Sequence, residues 1–314
     1  MSKNNFRNLY EFVNSLKEFF NQREFKEILS PPAVTHPGIE AHLHPFELHS
    51  VLNKNSKNLY LNSSPEFWMK KMLSEDLGDD YKNLYTFAFS FRDEPNSEWH
   101  RPQFLMLEWY RKNETYEKII EDIKNLYEFL SPNQKTETIE LTMEETFKRF
   151  SKISLDEFEN LDSVKTSIKK YYPELNQIDE LKTWDDAFHY FFLNIIEPQF
   201  KPIDSLIIKE YPARLSALSE ISKSNPKVCY RFEWFVKGIE TANSFQELTD
   251  LSEQTIRAKQ ELKEKKDLYG YELSEPKELF QALENGLPPC SGIALGVDRL
   301  LKVLDPEFEF CFPF

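Results

Sequence analysis

The stretch FRDEPNSEWHRPQFLMLEWYR, from Phe91 to Arg111, constrains the fold more than any other part of the chain. Side chains alternate between the two faces of a strand. Tyr85, Phe87, Phe89 and Phe91 therefore share one side, and Thr86, Ala88, Ser90, Arg92 and Glu94 share the other. After the loop PNSEWHRP, the returning strand sets Leu105, Leu107 and Trp109 against Met106, Glu108 and Tyr110. Two adjacent strands thus bring polar groups to one shared surface. A hairpin whose polar face merely met water would carry long solvated side chains there. Ala88 and Ser90 are small instead and lie beneath an Arg, which leaves room for something to lie across the sheet.

The rest of the pattern surrounds this hairpin with helices. Phe6, Leu9, Val13, Leu16 and Phe20 recur at spacings of three and four, which predicts an amphipathic helix over 6–25. Ser30-Pro31-Pro32 ends the element after it, and residues 58–111 read as strand, helix, strand, loop, strand. A helix is expected over 116–130. The stretch 138–200 holds short helical patterns (MEETFKRF, SVKTSIKKYY, WDDAFHYFFLNII) without strand alternation and reads as a helical insertion. Strands return at SLIIKEYP and VCYRFEWFVKGIE, a helix is expected from about Ser252 with Asp250 and Glu253 spaced as a capping box, and SGIALGVDRLLKVL reads as a strand running into a helix. Strands in runs, then helices, then strands favour an α+β fold with an antiparallel sheet flanked by helices.

Two further constellations stand out. In RFEWFVKGIETANSFQEL, Glu233 and Glu240 are seven apart, and Glu240, Asn243 and Glu247 would converge on a helix or a suitable turn. Paired carboxylates either hold Mg²⁺ through oxygen or raise each other's pKa, although among 53 acidic residues such a cluster is also an ordinary surface. Gly292 and Gly296, two of only seven glycines, stand around a strand end and imply close backbone approach or unusual φ/ψ, and Arg299 follows in the first turn of the next helix. His42 and His44 form an HxH with no third ligand in an evident motif, so surface or core roles are expected for them.

Charge and cysteine content exclude several classes. A net charge of −14 argues against a chain built to grip phosphate backbones. Three widely spaced cysteines, Cys229, Cys290 and Cys311, offer neither a disulfide framework nor a paired zinc motif, and the N-terminus lacks an apolar signal region. No run approaches the ~18 apolar residues of a membrane span. A cytoplasmic protein without a membrane partner is expected. No Ser/His/Asp or Cys/His nucleophile arrangement is apparent.

Together these stretches resemble the signature motifs of class II aminoacyl-tRNA synthetases, within their lysyl branch. EILSPP is similar to motif 1, FRDE with FLMLEWYR to motif 2, and GIALGVDRL to motif 3. The nearer resemblance is to the truncated paralogue family of elongation factor P (R)-β-lysine ligases, through SSPEFWMKKML, HRPQFLMLEWYR, KGIETANSFQELTD and PPCSGIALGVDRL. Pro31 already stands at the motif 1 position. The 30 residues before it cannot hold an anticodon-binding barrel, so a single catalytic domain over 1–314 is expected, with tRNA an unfavoured partner.

The resemblance implies a two-step ligase that activates (R)-β-lysine or lysine with ATP and Mg²⁺ and transfers it to a lysine of elongation factor P. It implies that Arg92 bridges the α-phosphate and the substrate carboxylate and that Arg299 holds the γ-phosphate, these two being the catalytic residues. Glu94, His100, Arg101, Glu240 and Gly296 complete the ATP site, and Glu233 and Glu240 hold the metal. Ser64, Glu66, Glu108, Tyr110, Asn243, Glu247 and Ala294 receive the amino acid, with Ala294 standing where the synthetases have glycine and the ligases alanine. Arg101 and Gln103 replace the family's Asn and Glu in HNPEF, and Ser244 and Gln246 replace Gly and His. A synthetase with another acceptor, including tRNA, and an inactive regulatory paralogue are the alternatives. Motif 1 is an interface element in the family, which implies a homodimer.

Overall fold

A computed structural model describes residues 3–52, 59–75, 77–95, 97–132 and 137–312. Asn58, where strand structure was expected to begin, and Asn96 of the hairpin loop lie outside them. The chain divides into two compact units, Met1–Pro132 with Ser244–Phe314, and Asn133–Asn243.

The first unit opens with helix α1 (Lys3–Asn21), which starts before the expected 6–25 and ends earlier because residues 22–24 turn the chain and Phe25 folds its ring back onto Phe20. Strand β1 (Lys26–Glu27), strands β2 (Ala33–Val34) and β3 (Tyr60–Leu61), and helix α2 (Glu66–Ser74) follow. The expected hairpin is present as β4 (Asn83–Phe91) and β5 (Gln103–Lys112), and helix α3 spans Tyr116–Leu130 as expected.

The second unit carries β6 (Ile139–Thr142), α4 (Met143–Phe150), α5 (Leu161–Tyr171), α6 (Trp184–Phe191), β7 (Ser205–Pro212) and β8 (Val228–Val236). Strand β9 (Ile239–Gln246) returns the chain to the first unit, which ends with α7 (Leu251–Tyr269), α8 (Lys277–Glu284), β10 (Cys290–Gly296) and α9 (Val297–Leu304).

In the first unit β4 pairs antiparallel with β5 and β5 with β10, while β1 joins β4 in parallel. Glu108 lies opposite Thr86 on one side and Ala294 on the other, and Tyr110 lies opposite Gly292. The core of this unit forms where Phe20 meets the rings of Tyr85 at 5.0 Å and Trp109 at 5.1 Å. The aromatic face of β4 is therefore covered at Tyr85 but open at Phe89, which is 42% exposed. The small face is not the open platform that its side chains suggest. Thr86 and Ser90 are fully buried, and Ser90 lies against the sulfur of Met106.

In the second unit β7 pairs antiparallel with β8, and β6 runs parallel to β7. The sheet pairings are thus mixed, not wholly antiparallel. Strand β6 falls inside the stretch read as all-helical, and its four residues IELT are too few for alternation to register. The unit's core is phenylalanine-rich, with Phe147, Phe158, Phe188, Phe191, Phe200 and Phe235 in one cluster. Lys237 and Gly238, both at positive φ, turn β8 into β9; a Cβ at Gly238 would lie 2.8 Å from the Lys201 nitrogen.

Candidate functional site

The first unit contains a connected set of buried charged groups, built by α2, β5 and the residue after β9. Glu66 starts α2, where the helix N-terminus suits a carboxylate, and Lys70 follows one turn later on the same face. The Lys70 ammonium lies 2.6 Å from Glu66 Oε1 and 2.6 Å from Glu247 Oε2, with Lys70 and Glu247 side chains each 1% exposed. Glu247 is anchored by its own N–H, which donates to the Cys290 carbonyl on β10. From β5, Glu108 accepts a hydrogen bond from Ser64 Oγ at 2.5 Å and one from the Tyr110 hydroxyl at 3.3 Å. Ser64 Oγ also accepts the Glu66 N–H, which links the two carboxylate positions.

Three carboxylates therefore face one ammonium in a dry setting. Burial, reinforced by Glu66 and Glu247, pushes Glu108 up to about 8, against the hydrogen bonds from Ser64 and Tyr110. Burial likewise raises Glu66 and Glu247, with Lys70 opposing in both cases. Burial lowers Lys70, but the two adjacent carboxylates outweigh it and keep the ammonium charged. Several buried polar atoms here have no hydrogen-bond partner among the described residues: Glu247 Oε1, Thr86 Oγ1, Asn62 Nδ2 and Arg92 Nε. An orphaned buried polar atom is costly and rare, so water or a ligand atom completes the bonding of such a group.

Gly292 supplies the floor. A Cβ there would sit 2.1 Å from the Tyr110 ring, so only glycine lets that ring lie across β10, and this is the close approach its placement implied. Ser244 Oγ donates to the Gly292 carbonyl, and Ala294 is half-buried beside Glu108.

The phosphate-handling candidates of this unit lie along the hairpin and α9. The Arg92 guanidinium stands 5.3 Å from the Phe104 ring, and its backbone N–H donates to the Pro102 carbonyl, which fixes the strand end. Beside Glu94 opens a cavity of about 450 Å³, lined by His44, Pro45, Asp93, Glu94, Pro95 and Tyr271. His100 is exposed and bonded through Nδ1 to Ser97 Oγ, and Arg101 donates to the Ser97 carbonyl while its guanidinium lies 5.0 Å from the Phe310 ring. Gly296 is the N-cap of α9, Arg299 is its third residue, and between them Asp298 accepts the Leu105 N–H, tying the helix start to β5. The two HxH histidines bond tyrosines: His42 meets Tyr269 and His44 meets Tyr271.

The metal candidates belong to the second unit. Glu233 accepts from Arg231 Nη2 and from the Tyr211 hydroxyl, each at 2.6 Å. Burial and then Glu233 raise Tyr211, while burial lowers Arg231 but Glu233 leads the charges that outweigh it; Glu240 adds a smaller raising contribution to both. Arg231 Nε also donates to Asn243 Oδ1. The segment is extended, not helical, so the helical reading of the spacing of Glu240, Asn243 and Glu247 does not apply. Among the described residues no group of three His, Cys, Asp or Glu is placed to hold a metal. Mg²⁺ bound with substrate phosphates needs only one or two carboxylates, and hard oxygen donors such as Glu240 and Glu233, whose oxygens keep spare lone pairs, fit that requirement.

The sequence reading missed Lys70, although the Glu66–Lys70 spacing of four was a visible signal, and it missed Arg231 and Tyr211 as partners of Glu233.

A family model described as tRNA synthetases class II (D, K and N) matches residues 1–307. The chain is 30% identical to an elongation factor P–(R)-β-lysine ligase of Mannheimia succiniciproducens over 93% of this chain and 88% of that protein. It is 31% identical to the protein of that name from Hamiltonella defensa over the same shares, and 33% identical to the one from Klebsiella pneumoniae over 92% and 87%. Among the described residues no helix is long and apolar enough to cross a membrane.

Proposed function

This chain belongs to the class II tRNA synthetases, and from that membership we propose that it is an ATP-dependent ligase that joins (R)-β-lysine, or lysine, to a lysine side chain of elongation factor P. The observation that carries this reading is the surplus of buried carboxylates: Glu66, Glu108 and Glu247 outnumber Lys70 by two. A lysine-type substrate brings two ammonium groups, and buried carboxylates that lack cations are stabilised by taking them.

In the first step the substrate carboxylate attacks the α-phosphorus of ATP, forming the mixed anhydride and releasing pyrophosphate. In the second the acceptor amine attacks the carbonyl, forming the amide and releasing AMP. No enzyme nucleophile is needed, so the protein contributes positioning and charge stabilisation. Arg92 neutralises the α-phosphate and the incoming carboxylate, and its orphaned Nε is a donor awaiting such a partner. Glu94 and the cavity beside it take the adenosine, with Arg299 on the γ-phosphate and His100, Arg101 and Gly296 along the phosphate chain. Glu233 and Glu240 would hold Mg²⁺, which would supply positive charge to offset phosphate repulsion. Ser64, Tyr110, Asn243 and Ala294 shape the amino acid pocket, and the methyl of Ala294 biases it toward a displaced amine by about 1–3 kcal/mol at most. The reading extends to a single catalytic domain acting as a cytoplasmic homodimer without a tRNA partner; a monomer mass in solution would remove the dimer.

The test is amino-acid-dependent ATP–pyrophosphate exchange with (R)-β-lysine, α-lysine and no amino acid, followed by mass analysis of elongation factor P incubated with the protein. Exchange strongest with β-lysine and a lysyl-sized mass gain on the acceptor are expected, and Arg92→Ala should lose about 10³-fold in exchange rate. Charging of tRNA instead of the protein acceptor would favour the synthetase reading.

A further inference from the structure

Lys70 is the one member of the carboxylate cluster that the family resemblance gave no role. It is 1% exposed, on a helix whose apolar side chains Phe67, Met69 and Leu73 face inward with it. Burying an ammonium is unfavourable unless it is closely paired, and replacing a buried ion set by apolar groups often stabilises a fold. A methionine, like Met69 next to it, would fill such a space without charge. The charge therefore calls for an explanation beyond packing.

Its contacts supply one. Nζ reaches Glu66, which is on the same helix, and Glu247, which is anchored to β10 through its own N–H. Lys70 thus cross-links two elements and holds two carboxylates that would otherwise repel each other. Glu108 stands apart from this clamp, held by Ser64 and Tyr110. Without Lys70 the cluster would carry three uncompensated carboxylates; with it the surplus is two.

We propose that Lys70 is a positioning and specificity-determining residue, an internal ammonium that clamps Glu66 to Glu247 and thereby fixes the number and placement of carboxylates left for a substrate bearing two ammonium groups. This rests on the reading of the cluster as the amino acid pocket. Lys70 touches the carboxylates and not the reacting atoms, so it governs recognition of the amino acid and leaves ATP binding alone.

The experiment compares wild type, Lys70→Gln and Lys70→Arg in ATP–pyrophosphate exchange, with KM for α-lysine, (R)-β-lysine and ATP measured separately. Lys70→Gln should raise KM for both lysines about 100-fold, keep KM for ATP within about threefold, and lower kcat far less than it raises KM. Lys70→Arg, which restores the charge in a wider fork, should recover at least a tenth of the lost affinity. A folded Lys70→Gln protein with KM for lysines within about threefold of wild type would reduce Lys70 to a packing residue. If Lys70→Gln does not fold, Lys70→Met, which fills the same space without charge, takes its place: a KM for lysines raised about 100-fold with ATP unaffected supports the clamp, and a KM within about threefold of wild type overturns it. Wild type without exchange on either lysine would remove the underlying functional reading, an outcome distinct from any result of the variants.

Discussion

The two units treat their buried carboxylates differently. In the second, Glu233 is matched: one guanidinium and one phenol hydroxyl each donate to it at 2.6 Å. In the first, Glu66 and Glu247 share a single ammonium, Glu108 is met only by two hydroxyls, and Glu247 keeps an oxygen without a hydrogen-bond partner among the described residues. Both arrangements are buried, so exposure does not separate them. Local charge balance does. A matched pair holds structure, whereas an unmatched surplus in a dry setting is stabilised only by a ligand of opposite charge.

The largest effect expected from this contrast is on stability in the second unit. Glu233→Ala leaves the Arg231 guanidinium without its carboxylate at a site where both side chains are under 15% exposed. Removing one partner of such a pair costs about 3 kcal/mol, which chemical denaturation would read as a lower midpoint with an unchanged slope. KM for the amino acid should stay near wild type. A stable Glu233→Ala protein would erase the distinction between the units.

Glu247→Gln is the complementary change. It removes one of the surplus charges while Lys70 retains Glu66. KM for lysines should rise about 100-fold, equivalent to about 2.7 kcal/mol, with a smaller loss of stability than Glu233→Ala gives. Equal losses of stability in both variants would mean that the surplus has no functional meaning.

How far the sequence foretold this contrast can be argued from particular residues. Helix α3 matches the expected range because its apolar spacing is long and regular, and strand β7 because a short run of β-branched and apolar residues is bounded by Pro212. Strand β9 was misjudged: its acidic and amide residues happen to recur at i, i+3 and i+7, and pairing overrides that local spacing. The candidates Ser64, Glu66, Glu108, Tyr110, Glu247 and Ala294 all fall in the first unit, and all but Ala294 are joined directly or through Lys70. The spacing of four from Glu66 to Lys70 was visible, but EFWMKKML contains two adjacent lysines, and only tertiary packing decides which one is buried. The burial of Thr86 and Ser90 was hidden for the same reason, since alternation assigns a face but not what covers it.

Gly292→Ala tests the floor of the cluster with a smaller effect. The added methyl would overlap the Tyr110 ring, so the ring must move and draw its hydroxyl away from Glu108. Overpacking of this kind costs about 1–3 kcal/mol, and the lysine KM should rise with it while the ATP KM does not. A crystal structure of the variant with the Tyr110 ring unmoved would contradict the packing argument.

The last test is the sharpest in sign, because it asks whether Glu108 is neutral before substrate arrives. Its folded-state pKa stands at about 8 against an ordinary 4.5, raised first by burial and then by Glu66 and Glu247. Between those values the folded protein holds a proton that the unfolded chain has released. Stability contributed by the neutral carboxyl is therefore fully present below about pH 4.5 and is lost as pH rises through about 8. Glu108→Gln keeps the shape and cannot ionise. Its melting temperature relative to wild type should be least favourable near pH 4.5 and climb by several degrees toward pH 8, with about 2–4 °C corresponding to 1 kcal/mol. A constant difference across that range would mean that Glu108 is ionised throughout, and the surplus charge of the pocket would then stand unrelieved in the free protein.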